Sequence, residues 1–205
     1  MSQIALPLAP GGAGGPTRIV VGNANRAALE AMAAAASWPF RTAILFGPPR
    51  SGKSLIARWF VESGAGEAID DADRMDETEL FHRWNRAQES GVPLLLTSSA
   101  AEGAWTIRLP DLASRLGAAL HLQIGAPDDA MLADLIELHA EQRGIALGPD
   151  ACAYLVPRAE RSHMGVERLV EAIDRISLER KQAPTLSVWR DALEELMGPQ
   201  EPRLF

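Results

Sequence analysis

The residues with the most explicit chemistry are Gly47-Pro48-Pro49-Arg50-Ser51-Gly52-Lys53-Ser54, a full GxxxxGK[ST] pattern. Its glycines let the backbone turn tightly, so that successive N–H groups and the start of a following helix surround a polyphosphate. Lys53 supplies a compact positive charge for the outer phosphates, and Ser54 an oxygen suited to Mg²⁺. Gly47, Pro48, Pro49, Arg50, Ser51, Gly52, Lys53, Ser54 and the adjoining Leu55 are therefore the expected binding set for the phosphates of ATP or ADP. Arg50 stands where many loops of this pattern carry glycine. Its long side chain either alters access or adds a phosphate or interdomain contact, so binding is a safer expectation than fast turnover.

Hydrolysis also needs carboxylates that hold the metal and polarise water. Asp70 and Asp71 follow the apolar pair Ala68-Ile69. Asp70 is the metal-side candidate, together with Ser54, and Asp71 the water-side one; a solvated acidic turn with Asp73 and Asp76 is the alternative. Ser98 is favoured as the polar group for attacking water or the terminal phosphate, with Thr97 and Ser99 as competitors and a loop-backbone role open to each. Arg115 is the last candidate. An arginine at a domain edge can neutralise phosphate charge in another subunit, although spacing alone favours a surface salt bridge.

These groups need elements to carry them. Thr42 to Phe46 is a short apolar run feeding the loop, and Leu55, Ile56, Trp59 and Phe60 recur at helical spacing over 53–62. The result is strand, glycine-bearing loop, helix. Asn25 is placed to cap an alanine-rich helix reaching about Ala36, which Trp38-Pro39 stops. Ala68 to Asp71 reads as a brief strand, Asp76 with Glu79 as a capping box for a helix over 77–89, and 92–97 and 120–124 as two further strands. Strands alternating with helices favour a parallel sheet covered on both faces. After Gly125-Ala126-Pro127 the pattern changes to four helices, over about 128–143, 150–160, 163–180 and 187–197. The expected organisation is a flexible tail over 1–17, an α/β nucleotide-binding domain over 18–126, a small all-helical domain over 127–198 and a tail over 199–205.

Composition narrows the function. The 205 residues are 47% hydrophobic and 23% charged, enough for a core without staples, and Cys152 is the single cysteine, which excludes an intrachain disulfide. The four histidines show no paired metal-ligand spacing. A net charge of -7 with no basic stripe argues against strong direct DNA binding. No secretory signal and no membrane-length apolar run is evident, so a cytoplasmic location is expected. Residues 9–16 are a glycine-rich run that reads as a tether, leaving Gln3-Ile4-Ala5-Leu6-Pro7-Leu8 to reach a partner.

The arrangement resembles the DnaA-related AAA+ ATPases and, within them, the Hda-like regulators of DnaA. Val20-Val21-Gly22-Asn23 looks like the family's segment beside the nucleotide base, adding Val20 and Asn23 to the binding set. Gly47 to Ser54 looks like Walker A, Ile69-Asp70-Asp71 like Walker B, Thr97-Ser98-Ser99 like the first sensor, and Asp111 to Leu116 like the arginine-finger segment carrying Arg115. The helices after Pro127 look like the AAA+ lid. Gln3 to Leu8 closely resembles the family's clamp-binding peptide, in which Gln3, Leu6 and Leu8 would enter the groove of the DNA polymerase III sliding clamp. The resemblance implies a compact AAA+ P-loop domain and helical lid that binds ADP or ATP with Mg²⁺, self-associates as a homodimer, joins the replisome or nucleoid through partners, and stimulates hydrolysis of DnaA-bound ATP through Arg115.

Two departures accompany the likeness. Only Ser63 to Gly66 separates the P-loop helix from the Asp70 strand, so the strand and helix commonly inserted there are absent, and a four-strand order 5-1-4-3 in the family's naming is expected. Glu167 stands where the second-sensor arginine is often found. Its neighbour Arg168 is rotated about 100° around the helix. A glutamate there repels phosphate and favours weak intrinsic ATPase activity. The competing functions are a nucleotide-gated adaptor that positions a replication protein without stimulating hydrolysis, and an autonomous small ATPase related to helicase loaders.

Overall fold

The computed structural model describes residues 18–198. The chain divides into two compact units, one ending at Gly125 and the other beginning at Ala126.

The first unit is built on four parallel strands: β1 (Thr42–Phe46), β2 (Glu67–Ile69), β3 (Leu94–Ser98) and β4 (Leu120–Gln123), in the order β2-β3-β1-β4. Every residue of β1 and β3 is buried, as expected for central strands covered on both faces. Its helices are α1 (Arg26–Met32), α2 (Lys53–Glu62), α3 (Glu77–Ser90) and α4 (Pro110–Gly117). Ile44, Phe46, Leu94 and Leu96 form one core face with Leu80 and Trp84 of α3 and Leu112 and Leu116 of α4. Helix α2 packs on β2 and β3; its Phe60 is fully buried and stacks on Trp38 at 5.5 Å. The four-strand order is the one that the short Ser63 to Gly66 connection implies.

Some boundaries differ from the sequence pattern. Helix α1 stops at Met32 rather than Ala36, and two short 3₁₀ turns, Ala35–Ser37 and Pro39–Arg41, bring the chain to β1. Strand β3 begins at Leu94 rather than Val92, because Pro93 has no N–H to give a ladder. Asp76 does cap α3, accepting from the N–H groups of Thr78 and Glu79.

The second unit holds α5 (Asp129–Gln142), α6 (Pro149–Leu155), α7 (His163–Arg180) and α8 (Leu186–Met197). Helix α7 packs against both α5 and α8, burying Leu132, Ile136, Val166, Ile173, Val188 and Ala192. Asp128 caps α5 and Ser162 caps α7 through the N–H groups of Met131 and Gly165. Helix α6 is shorter than the sequence pattern, ending at Leu155. On α7, Glu167 is half-buried and Arg168 exposed.

Candidate nucleotide-binding site

The C-terminal ends of the parallel strands gather the chemistry, as open α/β sheets do. In the ladder Leu45 faces Thr97, Phe46 faces Ser98, and Ile69 faces Leu96. The Gly47 to Ser54 loop, the two aspartates and the Thr97 to Ser99 run therefore leave the sheet side by side. The loop opens into α2, whose first residue is Lys53.

Within the loop, Lys53 is only 6% exposed, and its ammonium donates to the carbonyls of Gly47 at 2.8 Å and Pro48 at 2.9 Å. Burial pushes its pKa below the ordinary 10.5, against the opposing pull of Asp71, Asp70 and Asp73. Gly52 adopts φ 87° and Arg50 φ 65°. Arg50 thus carries a left-handed backbone that costs a non-glycine residue roughly 1–2 kcal/mol. Ser51 is buried, and its Oγ has no hydrogen-bond partner. A Cβ on Gly47 would lie 2.9 Å from that oxygen and 3.1 Å from Ile124 Cβ, so a larger residue there would have to displace both neighbours. Pro48, Pro49, Arg50 and Ser54 are exposed, and Leu55 is half-buried.

A buried ammonium, a buried hydroxyl without a hydrogen-bond partner and a loop closely packed at Gly47 fit a polyphosphate. The donor set also fits Mg²⁺ held chiefly by phosphate and water, with Ser54 and one carboxylate completing it, since that ion rarely uses an all-protein cage. Among the described residues no cluster of three or more His, Cys, Asp or Glu forms such a cage.

Asp70 accepts a 2.5 Å hydrogen bond from Thr97 Oγ1, and the Asp71 N–H donates to the same oxygen at 2.9 Å. Asp71 sits at φ 47°, pairs with Arg74 at 3.5 Å and accepts from Ser99 Oγ at 3.5 Å. Ser98 is fully buried, and its Oγ accepts from the Ala100 N–H at 3.1 Å. The three polar residues are thus sorted: Thr97 to Asp70, Ser99 to Asp71, and Ser98 to its own loop backbone. A cavity of about 250 Å³, lined by Gly47, Pro48, Ser99, Ala100, Glu102 and Gln123 among others, opens beside this cluster.

The lead-in segment is pinned by Asn25 rather than capped by it. Asn25 is 3% exposed; its Oδ1 accepts from the Gly22 N–H at 3.0 Å and its Nδ2 donates to the Val20 carbonyl at 2.7 Å. The Gly125 N–H donates to the Ala24 carbonyl at 2.9 Å, tying this segment to the end of β4. Val20 is half-buried and Asn23 exposed.

Arg115 lies elsewhere. Its guanidinium stacks over Phe81 at 4.9 Å and Trp84 at 4.4 Å, and donates to Asn85 Oδ1 at 2.9 Å. Trp84 in turn donates to Thr42 Oγ1, at the start of β1. The loop begins after Phe46, at the other end of that strand, roughly 13 Å away at 3.3 Å per residue. Glu77 steadies the approach to α4 by accepting from the N–H groups of Arg108 and Leu109 at 2.7–3.0 Å. No local signal could have revealed Glu77 or the Asn85 contact, because the partners are about 30 residues away. Gln3, Leu6 and Leu8 lie outside the described residues.

No protein-family model matches the chain. An uncharacterized protein of Haemophilus influenzae is 32% identical over 114 residues, covering 54% of this chain and 49% of that protein, so the chain spans about half the length of this curated relative. Among solved structures, domain III of the Thermotoga maritima replication initiation protein DnaA is similar with a TM-score of 0.72 and 15% identity, over 88% of this chain and 95% of that one. AMPPCP-bound DnaA from Aquifex aeolicus gives 0.60 and 15%, over 80% and 66%. The P216G mutant of Thermotoga maritima RuvB gives 0.62 and 17%, over 87% and 72%. The shared feature is the fold, an AAA+-like parallel-sheet core followed by a helical region. Among the described residues no helix is long and apolar enough to cross a membrane.

Proposed function

We propose that this chain is a regulator of replication initiation in the manner of Hda. It binds ADP or ATP with Mg²⁺ through Gly47 to Leu55, with Val20 and Asn23 beside the base. It docks on the sliding clamp through Gln3, Leu6 and Leu8, and promotes hydrolysis of ATP held by DnaA. It works in the cytoplasm, brought to the replisome by these partners.

The observation that carries this reading is the position of Arg115. Its guanidinium rests on an aromatic shelf whose Trp84 is bonded to Thr42, the end of β1 away from this chain's own glycine-bearing loop. A cation so placed is better suited to phosphate in a neighbouring subunit than to its own, as trans-acting arginines are. The likeness to DnaA domain III supports a neighbour of the same fold. Homodimerisation would use the same surface.

Within this reading, Lys53 and the loop N–H groups bind this chain's nucleotide, Asp70 and Ser54 complete a metal site, and Thr97 orients Asp70. The metal, when bound, supplies Lewis-acid stabilisation of phosphate charge. Asp71 is the water-side carboxylate, held by its bond to Thr97 and its contact with Ser99. Ser98 acts through the loop it braces. Intrinsic turnover is weak within this reading, because Glu167 stands where a lid arginine is often found in the family it resembles.

A second reading is a nucleotide-gated adaptor that positions a replication protein without stimulating hydrolysis. The engagement of Arg115 by Phe81, Trp84 and Asn85 favours it, since a finger must give up part of that shelf to reach phosphate. The discriminating experiment measures loss of DnaA-bound ATP with DNA-loaded clamp, comparing the native chain with one carrying Gln3→Ala and Leu6→Ala. Clamp-dependent stimulation that the double variant lacks supports the regulator. Clamp binding by the native chain without stimulation favours the adaptor.

A further inference from the structure

Two residues of the phosphate loop have left-handed backbones, and only one of them is glycine. Gly52 at φ 87° adopts that conformation without penalty, whereas Arg50 at φ 65° does not. Strain of this kind persists where surrounding structure enforces it, and it concentrates where a ligand is held. The enforcement is visible on both sides of Arg50. Pro48 and Pro49 restrict the chain before it. After it, Ser51 is buried beside Gly47, and Gly52 leads directly into α2.

This turn points successive side chains in opposite senses: Ser51 is buried and Arg50 exposed. The other cation of the loop, Lys53, is buried and bonded to the Gly47 and Pro48 carbonyls. An arginine differs from that lysine in kind. Its guanidinium is planar, permanently charged and able to engage two phosphate oxygens at once.

We propose that Arg50 is a phosphate-binding side chain whose guanidinium engages the terminal phosphate of the nucleotide held by this loop, alongside Lys53, and makes the site favour a triphosphate over a diphosphate. This rests on reading Gly47 to Ser54 as a nucleotide site. It gives one explanation for two facts about one residue, a strained backbone and an exposed charge where glycine would relieve the strain.

The test is the binding of MgATP and MgADP to the full chain by calorimetry, for the native protein and for Arg50→Gly, Arg50→Lys and Lys53→Ala, with thermal unfolding of each in the absence of nucleotide. Arg50→Gly should unfold at a higher temperature, because the strain is gone. It should nevertheless bind MgATP about tenfold or more weakly, the loss of one charge-assisted contact, and MgADP by a smaller factor. Arg50→Lys should fall between, since it keeps the charge without the fork. If Arg50→Gly binds MgATP as tightly as the native chain while Lys53→Ala does not, the inference is overturned and the loop reading stands. If the native chain binds neither nucleotide, both fall together.

Discussion

The Arg115 guanidinium lies 4.4 Å from the centre of the Trp84 ring, which is anchored by its indole N–H to Thr42. Phe81, one turn earlier on α3, offers the second face at 4.9 Å. Cation–π contacts at partly exposed sites contribute about 0.5–1 kcal/mol. A double-mutant cycle with Arg115→Gln and Phe81→Leu, read by urea unfolding, should therefore show coupling of about that size. Additivity within about 0.3 kcal/mol would mean that the shelf does not hold the arginine in solution.

Thr97 is the hinge between the sheet and the acidic turn. Its single oxygen donates to Asp70 and accepts from the Asp71 N–H, and the residue is fully buried. Thr97→Val keeps the shape and leaves both partners unsatisfied, which should cost about 1–3 kcal/mol in unfolding free energy. Thr97→Ser keeps the hydroxyl and should recover most of that loss. Equal stability of the Val and native proteins would remove Thr97 from the account.

The direct run from α2 to β2 depends on Gly66. A Cβ there would lie 2.2 Å from the Pro93 carbonyl oxygen and 2.7 Å from the Phe60 ring. That carbonyl also accepts from the Glu67 N–H, the contact that sets β2 beside β3. Gly66→Ala should destabilise the protein by about 1–3 kcal/mol, the usual cost of overpacking. Thermal unfolding checks it, and an unchanged midpoint would show that the connection is looser than described.

Lys53 gives the nucleotide-free protein a pH signature. Burial lowers its pKa from 10.5 in the folded chain. Between the lowered value and 10.5 the unfolded chain binds more protons, so this residue makes stability rise with pH in that interval. Below the lowered value both states are protonated and its contribution is flat. Urea unfolding from neutral pH upward should show a rising component that Lys53→Met lacks. Parallel pH profiles for the two proteins would contradict it.

Much of this was legible in the sequence, for reasons that differ by element. Thr42 to Glu62 could be read in full because apolar run, glycine loop and helical spacing are local signals that agree. The sheet order followed from the resemblance together with the brevity of Ser63 to Gly66. Other features depend on contacts distant in sequence. Helix α1 ends early because the chain must enter β1 through Phe40 and Arg41, both with positive φ, while Arg41 and Gln88 bond across to the carbonyls of Gly91 and Phe40. Sequence spacing could not decide among Thr97, Ser98 and Ser99, because strand register fixes which hydroxyl meets which aspartate. Asn25 carries a cap-like identity, yet its amide secures the Val20 to Gly22 segment. The aromatic setting of Arg115 required α3 and α4 to be packed together.

In the proposed function Arg115 acts on nucleotide held by another protein. The direct measurement is the rate of hydrolysis of ATP bound to DnaA, with DNA-loaded clamp and either the native chain or Arg115→Ala, after both are shown to bind clamp and nucleotide equally. Stimulation by the native chain is expected, with a loss of about 10³-fold or more toward the unstimulated rate on substitution, the scale of a trans-acting arginine. Equal stimulation by the two proteins would contradict it.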